Sequence, residues 1–210
     1  MAKFKHYILT KYNIGLYDRD LDPDDWMQER EYLFENYALR SLCNQRCKDY
    51  TWVIGFDDRT PDKYLIKYDY IDNIQVVIGQ PHEWLREQPM EADWIITSRF
   101  DNDDFYSRDF VTEVQWQFRG VNEVIDVDYL QHVRGRKVER YDPLRPRPNS
   151  PFLSVVEEWG DGLLTAFGRP HTYMPDELPA RKIERVLAWQ IIHGSNMGNQ
   201  YSIHKEARLR

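Results

Sequence analysis

The chain has few cysteines and no long hydrophobic run. Its two cysteines, Cys43 and Cys47, are four residues apart, a spacing that suits neither a C-x-x-C redox motif nor a four-ligand zinc site. The longest apolar stretches, such as 94–96, are far shorter than the roughly 18 residues that a membrane-spanning helix requires. The first residues include two lysines but no apolar signal-peptide core, so we expect a cytoplasmic protein.

Several common site motifs are also missing. The sequence contains no G-x-x-x-x-G-K, G-x-G-x-x-G, G-x-S-x-G or H-E-x-x-H motif. An EF-hand starting at Asp101 would need glycine and an acid at positions that Tyr106 and Thr112 occupy. Any phosphate binding must therefore rely on a metal ion and on basic side chains.

The chain is rich in charged and aromatic residues. Charged residues make up 30% of the 210 residues and aromatic residues 14%, with a formal net charge of -7. This composition indicates one folded globular domain, residues 1–210, and excludes a disordered or collagen-like chain. The negative net charge argues against a protein whose whole surface follows nucleic acid.

Short apolar runs alternate with helical patterns over the first 120 residues. Four runs predict strands, at 4–10, 51–56, 74–78 and 93–98, and each ends in turn-forming residues. Between the first two runs, apolar residues at helical spacing predict a helix with one buried face: Leu33, Phe34, Tyr37, Ala38, Ser41 and Leu42. The alternation predicts an α/β fold with a mostly parallel sheet flanked by helices.

The pattern changes after Gly120. Residues 124–128 alternate like a half-exposed strand that can form a hairpin with 136–141, and 183–193 has the periodicity of a helix that Gly194 ends. Between them, the segment 134–151 is basic and rich in proline. It is either a loop that covers a diphosphate or an anionic acceptor, or a solvated loop with scattered charges.

Polar and acidic residues follow three of the predicted strands, at 10–13, 57–58 and 101–104. In an open parallel sheet, ligands bind beyond the carboxyl ends of the strands. Clustered carboxylates there favour Mn²⁺ or Mg²⁺, which bridge to phosphates. The D-x-D pattern alone is weak evidence, since it also occurs at 18/20, 20/22, 22/24 and 126/128. A solvated loop with helix-capping aspartates is the alternative.

Longer stretches carry a family resemblance. Residues 8–13, 39–45 and 51–58, with the later Asp-x-Asp, resemble glycosyltransferases of the GT-A fold, family 2-like. Residues 96–104, 151–157 and 188–196 resemble the putative rhamnosyltransferase family. The resemblance implies a GT-A-like, Rossmann-like domain with a nucleotide-sugar-binding half at 1–120 and a smaller antiparallel or loop-rich acceptor half at 121–210. It implies transfer of a hexose, such as rhamnose, from a UDP-, GDP- or dTDP-linked donor to a glycan, a lipid or a modified nucleic acid.

The resemblance also implies roles for individual residues. Thr10, Tyr12 and Asn13 would line the nucleobase pocket, Asp57 would bind base or ribose, and Arg99 would lie near the nucleotide. Asp101 and Asp103 would hold the ribose and a Mn²⁺ or Mg²⁺ ion, which would neutralise the departing nucleoside diphosphate as a Lewis acid. One departure from the family 2 pattern is Arg59-Thr60-Pro61, where Gly-Ser usually follows the aspartates.

Three acceptor-half residues complete the candidate site. His193 would complete the metal shell, as C-terminal histidines do in similar folds, or would stabilise a helix C-terminus through the helix dipole. An inverting transfer needs a base, for which the partly apolar context favours Glu157, with Asp176 as the second candidate. Because Asp103 is predicted to be in a loop, Asp103→Asn is expected to abolish metal-dependent nucleotide binding and to leave the fold intact.

Two other classes remain open. A nucleotidyltransferase also uses paired aspartates and a metal ion on an α/β sheet, but it usually has a glycine-rich loop after the first strand. The third possibility is a non-catalytic carbohydrate-binding module, which the seven tryptophans and fourteen tyrosines would suit. In such a module neither nucleotide nor metal would stabilise the fold.

Overall fold

The computed structural model of the chain describes residues 3–133, 138–140 and 150–193. In this part of the chain there are nine strands: β1 (Phe4–Lys11), β2 (Thr51–Phe56), β3 (Ile74–Ile78), β4 (Trp94–Arg99), β5 (Phe105–Tyr106), β6 (Glu123–Val133), β7 (Val138–Arg140), β8 (Ser154–Glu158) and β9 (Ala180–Ile192). The α-helices are α1 (Pro23–Leu33), α2 (Arg40–Cys43), α3 (Asp62–Leu65), α4 (Pro81–Arg86), α5 (Phe110–Trp116) and α6 (Met174–Glu177). A π-helical segment, Phe34–Leu39, joins α1 to α2.

All nine described strands belong to one sheet. The order is β3-β2-β1-β4-β8-β6-β9-β5, with β7 paired to β6. The four strands β3, β2, β1 and β4 are parallel, whereas β8 runs antiparallel to both β4 and β6. The predicted α/β class, with parallel strands in the first half and antiparallel pairing in the second, is confirmed.

The strand directions bring several loops to one edge of the sheet. Because β6 and β4 are both antiparallel to β8, they run in the same direction, and β9 is parallel to β6. The C-terminal ends of β1, β2, β4, β6 and β9 therefore face the same way. We call this side the carboxyl edge, and the predicted loops at 10–13, 57–58 and 101–104 lie on it.

The first helix forms as its sequence predicts. The Asp22 carboxylate caps α1 by accepting the backbone N–H groups of Asp24 and Asp25 at 2.9 and 3.1 Å, and Pro23 occupies the first turn. Four of the six residues predicted to form the inner face are fully buried: Leu33, Phe34, Ala38 and Leu42. Phe34, Ala38 and Leu42 belong to the core cluster that covers one face of the sheet.

The prediction of a helix at 183–193 is wrong, because this segment belongs to the long strand β9. Ile183, Leu187 and Ile191 are buried at a spacing of four, which imitates a helical face. The pairing of β9 with β6 shifts register on either side of Asp128, so β9 carries extra residues there. These irregularities break the alternation by which a strand is recognised in sequence.

The predicted hairpin exists with a different register. β6 extends to Val133, and its residues 130–132 pair with β7 instead of residues 124–128. Most of the basic segment 134–151 lies outside the described residues. Within the described ranges, helices are all too short or too polar to cross a membrane.

Candidate functional site

Two side chains at the C-terminal end of β1, Thr10 and Tyr12, are buried in the fold. Thr10 is fully buried; its hydroxyl donates to the Phe100 carbonyl at 2.8 Å and accepts from Trp52 Nε1 at 2.9 Å. Tyr12 is 2% exposed and packs in an aromatic cluster with three other rings, Phe34, Phe56 and Tyr68. The structure therefore does not place these two side chains where a nucleobase could reach them, because they connect strands and fill the core.

Asn13 joins two loops of the carboxyl edge. Its Nδ2 donates to Thr60 Oγ1 at 2.8 Å, and its Oδ1 accepts the backbone N–H of Asp57 at 2.9 Å. The Asp57 carboxylate in turn accepts the backbone N–H of Gly15 at 3.2 Å. These bonds fix the loop after β1 against the loop after β2, so Asn13 positions Asp57 from within the fold.

Arg59 covers the Asp57 carboxylate. Its Nε and Nη2 donate to Asp57 at 2.8 and 3.1 Å, and its Nη1 pairs with Asp18 at 2.8 Å. Hydrogen bonds from Arg59 hold the pKa of Asp57 far below its usual range, although burial opposes them. Arg59 belongs to the segment 59–61 that departs from the family 2 pattern, so a base or ribose that binds Asp57 also contacts Arg59.

Asp103 and His193 meet although 90 residues separate them. His193 Nε2 lies 2.9 Å from Asp103 Oδ2, and the buried guanidinium of Arg30 forms an ion pair with the same oxygen. Burial raises the pKa of Asp103, but the hydrogen bond to His193 and the charge of Arg30 outweigh it, and the pKa falls below its usual value. Since His193 follows a strand, the alternative of a helix-dipole contact is excluded.

Arg30 is a site residue that the sequence analysis missed. It is 3% exposed, donates to Asn102 Oδ1 at 3.0 Å and lies with Cζ 4.6 Å from the centre of the Trp26 ring. A signal was present, because Arg30 stands four residues after Trp26 and three before Leu33, on the buried face of α1. An arginine on such a face needs a buried acidic partner.

The other two aspartates of the loop differ in exposure. Asp104 is buried, and its Oδ1 accepts the backbone N–H of Ile191 at 2.7 Å, which attaches the loop to β9. Burial and the charges of Asp103 and Asp101 raise the pKa of Asp104 well above its usual value. Asp101 has a side chain that is 35% exposed, 3.4 Å from Arg99 Nη2. Asp101 is thus the most accessible carboxylate of this loop.

Asp103 and His193 are the side chains of this region that could hold a divalent metal ion, which would have to replace their mutual hydrogen bond beside the Arg30 guanidinium. Two ligands at about 2.1 Å from an octahedral ion stand about 3 Å apart, which is the separation of the Asp103 and His193 atoms. No group of three or more histidine, cysteine, aspartate or glutamate side chains surrounds one point within the described residues. Mg²⁺ sites that bind nucleotides commonly use one or two carboxylates, with phosphates and water as the other ligands.

The two predicted bases lie away from Asp101. Glu157 pairs with Ile95, four residues before Arg99 and so about 13 Å from it along the strand. Its two carboxylate oxygens accept the backbone N–H groups of Leu164 and Thr165 at 2.6 and 2.9 Å. Glu157 is therefore engaged in holding the loop after β8.

Asp176 is exposed on α6, before the start of β9. His193 follows the other end of this strand, which spans the ten β6 residues 124–133 with which it pairs, or roughly 30 Å. The structure does not bring Asp176 to the carboxyl edge, and its prediction as a base has no support from geometry.

Glu157→Gln should lower the stability of the fold. Glutamine offers one side-chain oxygen where two backbone N–H groups need acceptors, so one of them remains unsatisfied in a buried position. We expect the free energy of unfolding to fall by about 1–3 kcal/mol in urea titrations. Glu158→Gln is the matched control, because Glu158 is exposed. Equal stability of the two variants would contradict the anchoring role of Glu157.

Comparison with known proteins identifies the family and the fold of the chain. Residues 17–205 match the family described as putative rhamnosyl transferase. No curated protein matches the chain. The fold is similar to that of Staphylococcus aureus TarS residues 1–349, with a TM-score of 0.56, 14% identity, and coverage of 89% of this chain and 60% of TarS.

Two further TarS structures are similar. The complex with UDP-GlcNAc has a TM-score of 0.56 and 14% identity, and covers 99% of this chain and 65% of that one. The complex with UDP has a TM-score of 0.51 and 12% identity, with coverage of 90% and 60%. The chain thus spans less than two thirds of these TarS chains. The similarity confirms the GT-A-like fold, and the match over 17–205 shows that the chain belongs to the putative rhamnosyl transferase family of glycosyltransferases.

Proposed function

We propose that the chain transfers a sugar from a nucleoside-diphosphate donor to a hydroxyl group of an acceptor. The observation that carries this proposal is the convergence of three separate segments on the carboxyl edge. Asp57 after β2, Asp101 and Asp103 after β4, and His193 after β9 lie on one side of the sheet. The crevice beyond the carboxyl ends of such a sheet is where nucleotides bind.

Two aspartates are assigned to the nucleoside of the donor. Asp57, with Arg59 on its carboxylate, would bind the base or the ribose, and Asp101 would bind the ribose from the accessible side of the loop. The TarS complexes with UDP and UDP-GlcNAc support a nucleotide-sugar donor. Rhamnose is the sugar that the family description suggests.

Metal dependence is part of the proposal. Asp103 and His193 would hold a Mn²⁺ or Mg²⁺ ion, and the bound ion would supply positive charge for the departing nucleoside diphosphate. Arg30, fixed by Asn102, pairs with the same Asp103 oxygen that contacts His193 and so orients this carboxylate. The chain's own role is to keep Asp103 ionised and directed at His193.

The acceptor is a glycan, a lipid or a modified nucleic acid in this proposal. Neither Glu157 nor Asp176 lies where it could take the proton of an acceptor hydroxyl in the described arrangement. Family membership favours sugar transfer over the nucleotidyltransferase and the carbohydrate-binding module.

The test is the melting temperature of the protein with UDP, GDP, dTDP, CDP and CMP, each with Mn²⁺ and with EDTA. A ligand of the native state stabilises by RT ln(1 + [L]/Kd), about 2.7 kcal/mol at a hundredfold excess over Kd. We expect one nucleoside diphosphate to raise the melting temperature, and to raise it more with Mn²⁺. If no nucleotide changes the melting temperature, the donor proposal is wrong. If a nucleotide raises the melting temperature equally with Mn²⁺ and with EDTA, only the proposed metal dependence is refuted.

A further inference from the structure

Two cations share one aromatic ring at the carboxyl edge. Lys11 is the last residue of β1, and Arg99 is the last residue of the neighbouring parallel strand β4. Lys11 Nζ lies 4.8 Å and Arg99 Cζ 4.9 Å from the centre of the Phe167 ring. All three side chains are partly exposed, so a solute can reach them.

The loop that carries Phe167 is held in place by its own contacts. Glu157 accepts two of its backbone N–H groups, and Thr97 Oγ1 accepts that of Ala166 at 2.9 Å. Thr165 has a φ of 61°, a strained value for a β-branched residue. A Cβ on Gly168 would lie 1.8 Å from the Leu164 carbonyl oxygen, so only glycine fits there. Phe167 is therefore fixed beside the two cations without any ligand.

Among the described residues, the acids near the two cations make only long or solvent-exposed contacts with them. Burial and the neighbouring Arg99 guanidinium lower the pKa of the Lys11 ammonium. Arg99 meets the Asp101 carboxylate only at 3.4 Å, and its Nε is buried with no hydrogen-bond partner. Glu83, the other acid near Lys11, is exposed on α4. Burial keeps nearby His82 neutral, with a pKa of about 4.

We propose that Lys11 and Arg99, held on Phe167, form a phosphate-binding site. A phosphate oxygen accepts charge-assisted hydrogen bonds from an ammonium and a guanidinium, and it relieves the repulsion between them. The phosphate belongs either to the donor nucleotide or to a phosphorylated acceptor. The assignment to the donor rests on the proposed function, whereas the site itself does not.

The probe for the site is inorganic pyrophosphate, compared with UDP, dTDP, GDP and the corresponding nucleosides by calorimetry. Lys11→Met and Arg99→Met should each weaken pyrophosphate binding about tenfold or more, the effect of losing one charged hydrogen bond. Lys11→Arg should retain binding, which separates loss of charge from loss of structure. Lys63→Met is the matched control, since Lys63 also lies on an aromatic ring, 4.7 Å from the centre of Tyr64, but is itself exposed on α3.

The outcomes distinguish a phosphate of the donor nucleotide from a phosphate of the acceptor. If the variants reduce the preference for a nucleoside diphosphate over its nucleoside, the site binds the donor; if only pyrophosphate binding weakens, it binds a phosphate of the acceptor. Pyrophosphate binding that is absent, or equal in Lys11→Met, Arg99→Met and the unmodified protein, would overturn the proposal. Pyrophosphate binding through Lys11 and Arg99 with no nucleotide bound would instead refute the proposed donor and keep the site.

Discussion

Asp101→Asn is expected to lower the rate of donor turnover at a donor concentration below saturation by about 10–100-fold, the effect of losing one charged hydrogen bond, without changing the melting temperature. Asp101 is the accessible carboxylate of the loop after β4, and its one described contact is the long one to Arg99 at 3.4 Å. Its charge therefore contributes little to the fold and can be directed at the donor. The measurement is the rate at which nucleoside diphosphate is released from the sugar donor.

Asp58→Asn is the matched control for this experiment. Asp58 also follows a strand at the carboxyl edge, but its side chain is 80% exposed and lies 3.7 Å from Arg59. We expect its turnover to stay within a factor of about two of the unmodified protein, as for a surface charge of little energetic effect. Equal losses in both variants would show that turnover depends on the net charge of the edge and not on Asp101.

Asp103→Leu is expected to destabilise the protein by about 3–5 kcal/mol, because it leaves the Arg30 guanidinium buried without its charged partner. Arg30 is 3% exposed and the Asp103 side chain 11% exposed, so water cannot replace the lost carboxylate. The free energy of unfolding in urea measures this effect. The sequence predicted a loop position for Asp103 but not that Asp103 is buried with Arg30. The prediction that Asp103→Asn leaves the fold intact is therefore replaced by an expected loss of stability.

The double variant Arg30→Met/Asp103→Leu tests the pairing. If the two residues stabilise the fold as a pair, removing both should cost less than the sum of the two single changes, since no charge is then left buried. Strictly additive losses, or an Asp103→Leu variant as stable as the unmodified protein, would contradict the buried ion pair.

The elements that could be predicted from sequence depend on local patterns. Apolar runs ended by turn residues located β1 to β4, and the spacing of Leu33, Phe34, Ala38 and Leu42 located the first helix. The aspartates after β2 and β4 were placed on the carboxyl edge because parallel strands end on the same side. The family resemblance grouped His193 with Asp103, and the two side chains lie 2.9 Å apart, although the element before His193 was predicted as a helix.

The remaining features depend on contacts between distant residues. The shifted pairing of β9 with β6 hid a strand behind a helical spacing. The position of Arg30 on the buried face of α1 indicates that the side chain is buried, but not that it reaches Asn102 across 72 residues. Thr10 and Tyr12 match a nucleotide-binding motif, but the hydrogen bonds of Thr10 and the aromatic neighbours of Tyr12 place both inside.

The central claim is that the carboxyl edge turns over a nucleotide sugar. The most direct measurement is release of nucleoside diphosphate from UDP-, GDP- and dTDP-linked sugars, including dTDP-rhamnose, with water as the acceptor. We predict slow release from donors of one base, lost in Asp101→Asn and retained in Asp58→Asn. No release from any donor, or release that Asp101→Asn leaves unchanged, would contradict the account.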